Sequence, residues 1–153
     1  MNNFKFRKFI LAIALLVFPT SILAGGHYTY NGPDISGEKI KIFGPWLAPE
    51  DESFRDVLSI FEKATGASVE YGGSDEFEQI INIDCKAGNP ADIAVFPQPG
   101  LAANIAATGC LAPQGNDLKQ MVLDDYAAGQ SWVDLTTYAD ASGKDQFYGI
   151  FFR

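Results

Sequence analysis

One histidine, His27, and two cysteines, Cys85 and Cys110, are all that this 153-residue chain offers of the softer metal ligands. That is too few for a Cys/His zinc cluster. Positive charge is also scarce: 11 Lys and Arg stand against 19 Asp and Glu, a net charge of −8. Binding to phosphate needs clustered Lys and Arg, so nucleic acid and anionic lipid surfaces are poor partners. No G-x-S-x-G elbow, P-loop or H-E-x-x-H is present. The acidic run Glu50–Glu52 suits the positive end of a helix better than catalysis. "DASGKD" lacks the alternating acids and bidentate Glu of a calcium loop, and reads as a turn. No metal and no cofactor is expected.

A long apolar run is missing too. The chain opens "MNNFKFRK", basic through Lys5, Arg7 and Lys8, then "FILAIALLVF", then the small-residue stretch "PTSILAGG". This is the three-part pattern of a secretory signal peptide over 1–24, with an apolar core too short to span a bilayer comfortably. Cleavage is placed after Ala24. A Gly follows where a lipoprotein would carry its anchoring Cys, so the product is expected to be exported, soluble and free of a stable membrane anchor. Loss of those three cations takes the net charge from −8 to −11. His27, beside the cleavage region, is a terminal residue rather than a ligand.

The composition, 47% hydrophobic and 20% charged, suits one globular core. In an export compartment disulfides persist, so Cys85 and Cys110 are permitted to pair. They are not required to: "INIDCKAG" and "ATGCLAP" are apolar contexts in which a free Cys packs as a small hydrophobe.

What is present is a rhythm. After a flexible leader over 25–38, "KIKIF" alternates and ends apolar, predicting a strand. Pro49 suits the first turn of a helix, with Phe54, Val57, Leu58 and Phe61 on its buried face and Gly66 ending it. "ASVEY" predicts a second strand. Asp75 and Glu78 fit a capping box for a helix whose stripe is Phe77, Ile80, Ile81 and Cys85. "DIAVF" predicts a third strand, broken by "PQP", and "GLAANIAAT" a helix closing at Gly109. Strand and helix alternating three times predict an α/β fold with a mostly parallel sheet flanked by helices. Beyond it, "DLKQMVLDDYAA" reads as a short helix. "SWVDLTTYADASGKDQFYGIFFR" reads as a strand, a turn at Gly143 and a final apolar strand from Gln146. A strand that apolar, ending at Arg153 without cap or tail, belongs in mid-sheet or marks a fragment incomplete at its C-terminus.

In open α/β sheets ligands gather beyond the carboxyl ends of the strands. That rule selects Trp46 after the first strand, Ser74 and Asp75 after the second, and Phe96 and Gln98 after the third. Two aromatics, a carboxylate, a hydroxyl and an amide suit a sugar, whose apolar face stacks on rings while its hydroxyls meet polar groups. A plainer reading is equally open: Trp46 and Phe96 as core residues, Asp75 as a helix cap.

The segments "IFGPWLAPEDESF", "FEKATG", "YGGSDEFEQ", "DEFEQIINIDCKAGNPADIAVF", "DIAVFPQPGL" and "YAAGQSWVDL" resemble the N-terminal lobe of bacterial extracellular solute-binding proteins of sugar ABC importers. Within that family they resemble the periplasmic α-glucoside-binding proteins. The likeness runs from about Lys39 to Arg153. It implies a partial N-terminal lobe over 39–153 of a two-lobed protein that closes on an α-glucoside or related oligosaccharide. Delivery to the permease subunits of an inner-membrane ABC importer would follow. It carries the ligand-binding role onto Trp46, Ser74, Asp75, Phe96 and Gln98, with Phe96 as an aromatic that stacks on sugar. Family members run two to three times longer, so a truncated, weakly binding or non-functional product is expected, monomeric if folded. Two alternatives remain open: a small exported carbohydrate-active enzyme, whose paired carboxylates are defined only in space, and a ligand-free secreted interaction domain.

Overall fold

A computed structural model describes residues 29–151. The expected signal peptide and cleavage site, His27 and Arg153 lie outside the described residues.

The alternating "KIKIFG" forms β1 (Lys39–Gly44), which pairs in parallel with β2 (Ser68–Gly73) from Lys39↔Ser68 to Gly44↔Gly73. On its other side β1 pairs with β3 (Ile93–Ala94), again in parallel, so the sheet order is β2-β1-β3. The expected "DIAVF" strand is therefore shorter than its apolar run. Val95 extends the pairing by one bond, its N–H donating to Phe43 O at 2.8 Å.

Helix α1 (Glu50–Thr65) begins after Pro49, carries Glu50, Asp51 and Glu52 in its first turn, and stops at Gly66. Gly66 adopts φ +73°, a left-handed conformation that a residue with a Cβ resists. Phe54, Leu58 and Phe61 turn inward as their spacing predicts, but Val57, at the flank of that stripe, is 60% exposed. Helix α2 (Phe77–Ala87) buries Phe77 and Ile81 on the opposite face of the sheet. The Asp75/Glu78 capping box does not form, because the helix starts at Phe77, one residue later than that spacing requires. Ser74 opens the turn instead: its Oγ accepts the Glu76 N–H at 3.1 Å and its carbonyl the Phe77 N–H at 3.1 Å. Helix α3 (Pro99–Ala107) packs beside α2 through Leu101 and Ile105.

Period-two alternation divides the strand residues between two cores. Ile42, Tyr71 and Val95 form one, joined by Phe54 and Leu58 of α1. Phe43, Ala94 and Phe96 point the other way, onto Phe77, Ile81, Leu101 and Ile105. Cys85 and Cys110 border this second core and are bonded to each other, with Cα atoms 5.6 Å apart. Of the two states open to them, the paired one is adopted.

A third cluster, Val122, Val133 and Phe147, belongs to α4 (Asn116–Asp125), α5 (Gly129–Leu135) and a hairpin of β4 (Thr137–Ala139) and β5 (Asp145–Phe147). "SWVDL" is thus helical, not a strand. Its aromatic and β-branched residues favour strands intrinsically, but burying Val133 against Val122 outweighs that preference. Gln130 and Asp134 also bond across one turn at 2.7 Å. The final strand is three residues long; Tyr148–Phe151 lie outside strands. Of the expected leader, residues 29–38 carry no helix or strand, yet Gly37 N–H donates to Gly66 O at 2.9 Å and Tyr30 meets the Phe61 ring edge-on at 6.3 Å. No helix among the described residues is long and apolar enough to cross a membrane.

Candidate functional site

Three parallel strands end at one edge, and the five residues chosen from the sequence all lie on the loops that leave it. Because β1 is central, the Trp46 loop stands between the Ser74–Asp75 turn and the Phe96–Gln98 corner.

Trp46 is half-buried. Its ring meets Phe54 edge-on at 5.1 Å and lies 6.5 Å from Tyr71, on the α1 side of the sheet. Phe96 is also half-buried, but on the α2–α3 side, with its ring edge-on to Phe77 at 5.6 Å. The two aromatics therefore share an edge and not a face. Each packs against a different core and is neither fully buried nor fully exposed.

The polar candidates differ among themselves. Ser74 is committed to the turn before α2, and its N–H donates to Gly44 O at 3.0 Å, joining the ends of β1 and β2. Asp75, released from capping, is exposed. Gln98 is the N-cap of α3: its Oε1 accepts the Leu101 N–H at 3.1 Å, and Pro99 follows at the first helical position. That bond leaves the Gln98 amide NH₂ as the group able to donate to a ligand.

Beside Trp46 lies a polar group that the sequence reading missed. Asp51, read only as part of an acidic helix end, is buried and paired with Arg55, Nε to Oδ2 at 2.8 Å; its Oδ1 has no partner. Arg55 continues to Tyr71 O, donating from Nη2 at 3.1 Å, and its guanidinium carbon lies 5.3 Å from the Tyr71 ring centre. The i,i+4 spacing of Asp51 and Arg55 was a legible signal of their pairing. Burial pushes the Tyr71 phenol up, and the Asp51 carboxylate adds to this; the hydrogen bond with the Trp46 backbone and the Arg55 charge oppose it. Tyr71 thus keeps its proton at neutral pH.

Two shallow concavities, of about 420 and 440 Å³, open along the flanks of β1 and β2, bordered by Lys39, Lys41 and Glu70. Neither includes any of the five candidates. They run along the strand flanks, whereas the carboxyl edge brings two rings, a carboxylate and an amide to adjacent loops. Among the described residues no group of three or more His, Cys, Asp or Glu could hold a metal ion.

Relatives of the chain are binding proteins by name. It is 47% identical over 120 residues to the alpha-glucosides-binding periplasmic protein AglE of Rhizobium meliloti, covering 78% of this chain and 26% of that one. It is 32% identical over 153 residues to the osmoprotective compounds-binding protein GgtB of Synechocystis sp., covering 97% of this chain and 33% of the relative. The chain thus spans between a quarter and a third of the length of these relatives. No family model matches it. The resemblance read from the motifs holds: the chain is related to solute-binding proteins, the α-glucoside-binding kind among them.

Proposed function

We propose that residues 39–153 are part of the N-terminal lobe of the substrate-binding component of a sugar ABC importer. On this reading it is exported by a signal peptide over 1–24 and works in the periplasm. There it takes an α-glucoside or related oligosaccharide at the carboxyl edge of its sheet, without chemistry, for delivery to a membrane permease. The observation that carries this is the 47% identity to an alpha-glucosides-binding periplasmic protein over a stretch that includes the strands and their loops. The edge itself adds support: partly exposed rings at Trp46 and Phe96, the Asp75 carboxylate and the Gln98 amide fit the apolar faces and hydroxyls of a pyranose.

One lobe offers one wall of a cleft. Roughly millimolar affinity is therefore expected of this segment by itself, with the other contacts missing. Titration of the isotopically labelled chain with maltose and with methyl α-D-glucopyranoside, followed by NMR, tests the reading. Shift changes should gather on Trp46, Ser74, Asp75, Phe96 and Gln98 and be lost in Trp46→Ala. Changes scattered over the surface, or none at high sugar concentration, would overturn it.

A further inference from the structure

Loops at a sheet edge are usually solvated and mobile, yet the Trp46 backbone is gripped at two points by one side chain. The Trp46 N–H donates to Tyr71 Oη at 3.0 Å, and Tyr71 Oη donates to Trp46 O at 3.2 Å. We propose that Tyr71 is a positioning residue, whose hydroxyl holds the Trp46 loop in the conformation that presents the indole at the carboxyl edge.

Three further observations carry this. Tyr71 stands on β2 and Trp46 follows β1, so the hold bridges two strands through a ring that is only 4% exposed. That ring is itself fixed, edge-on to Phe54 at 5.1 Å and beneath the Arg55 guanidinium, so the hydroxyl has little freedom to wander. The backbone has also been cleared to admit the contact. A Cβ on Gly44 would stand 2.8 Å from Tyr71 Oη, and one on Gly73 would overlap the Trp46 carbonyl oxygen. Both strand ends are glycine where the loop and the hydroxyl pass closest. A core tyrosine that merely needed a partner would be satisfied by one carbonyl. Bonding both backbone groups of one residue restrains that residue's position, which is how a site acquires a preorganised aromatic.

The consequence for ligand affinity rests on the carbohydrate reading; the restraint on the loop does not. In Tyr71→Phe the ring packing is kept and only the hydroxyl is lost. Hydrogen exchange followed by NMR should show the Trp46 amide exchanging at least about tenfold faster, while amides in the middle of β1 keep their rates. Gly73→Ala, which leaves Tyr71 intact but collides with the Trp46 carbonyl, should release the same amide. For a chain that binds maltose, both variants should weaken binding about three- to tenfold at temperatures where both remain folded. An unchanged Trp46 exchange rate in folded Tyr71→Phe would overturn the proposal, as would faster exchange spread evenly through β1 and β2, which is the signature of simple destabilisation. If the Trp46 amide is released but the parent chain binds no maltose, the carbohydrate reading fails while the positioning role stands.

Discussion

The segment from β1 to α3 and the segment from α4 to β5 solve the same problem by different means. In the first, contacts are long-range: parallel strands that meet only across helices, two cores on opposite faces of one sheet, and a disulfide between Cys85 and Cys110. In the second, the pairing is local. A three-residue antiparallel hairpin packs on two short helices around Val122, Val133 and Phe147. Long-range pairing is costly in loop entropy and must be held by buried area and cross-links. Local pairing needs only a good turn. All five candidate ligand residues lie in the first segment, where rigid strand ends can hold them in fixed relation.

The largest effect that separates the two should come from the disulfide. It closes a loop 25 residues long in sequence, for which chain entropy gives about 3.5 kcal/mol of stabilisation. Replacing both cysteines by Ala should lower the melting temperature by roughly 10 °C. Hydrogen exchange should accelerate in α2 and α3 before it does in the β4–β5 hairpin. A loss below about 1 kcal/mol, or equal acceleration in both segments, would show that the parallel segment does not lean on its cross-link.

A smaller effect is expected at Arg55. Its two bonds neutralise the buried Asp51 carboxylate and occupy Tyr71 O on the outer edge of β2. Glu62 does the same for the Val69 N–H, at 2.6 Å, so α1 side chains cover this edge strand. Because Arg55 is about half exposed, water screens the pair, and Arg55→Leu should cost about 1–2 kcal/mol rather than the full value of a buried ion pair. Asp51→Asn should recover part of that loss in the double variant, measured by urea unfolding. Strict additivity of the two changes would mean that Asp51 and Arg55 act independently.

The same contrast explains what could be read from the sequence. In the first segment period-two and helical patterns have one consistent solution, so "KIKIF", "ASVEY" and the stripes of α1 and α2 predict their elements. Apart from Val57, exposed at the flank of the α1 stripe, misreadings there concern ends. The box at Asp75 and Glu78 fails because Ser74, an equally good turn former, opens the turn first. In the second segment no pattern runs long enough to outvote composition, and "SWVDL" takes its state from Val122, a partner eleven positions before Val133. The five edge residues are legible as a group because strand ends are. That Trp46 and Phe96 lie on opposite faces needs the register of β1, β2 and β3, and the grip of Tyr71 on Trp46 needs the three-dimensional approach of Gly44 and Gly73.

The smallest effect should appear in the hairpin, where one carboxylate organises the turn. Asp140 Oδ1 accepts from the Ser142 hydroxyl at 2.6 Å, the Ser142 N–H at 2.8 Å and the Lys144 N–H at 3.0 Å, and Gln146 reaches Oδ2 at 3.4 Å. These donors, the Ser142 hydroxyl first, hold its pKa down at about 2, against about 3.9 for an unperturbed Asp. A depressed carboxylate stabilises the folded state above its unfolded pKa and loses that contribution as the pH falls through its folded one. The hairpin should therefore be indifferent to pH above about 5 and loosen between about pH 4 and 2. Exchange of the Lys144 amide reports it locally, corrected for the intrinsic pH dependence of exchange. Asp140→Asn keeps an acceptor oxygen but removes the charge, so it should weaken the turn slightly at neutral pH and flatten the acid response of Lys144. The amides of β1 and β2 should show no difference between variant and parent. An acid response of Lys144 that survives in Asp140→Asn would place the titrating group elsewhere, and the hairpin would then depend on more than its turn.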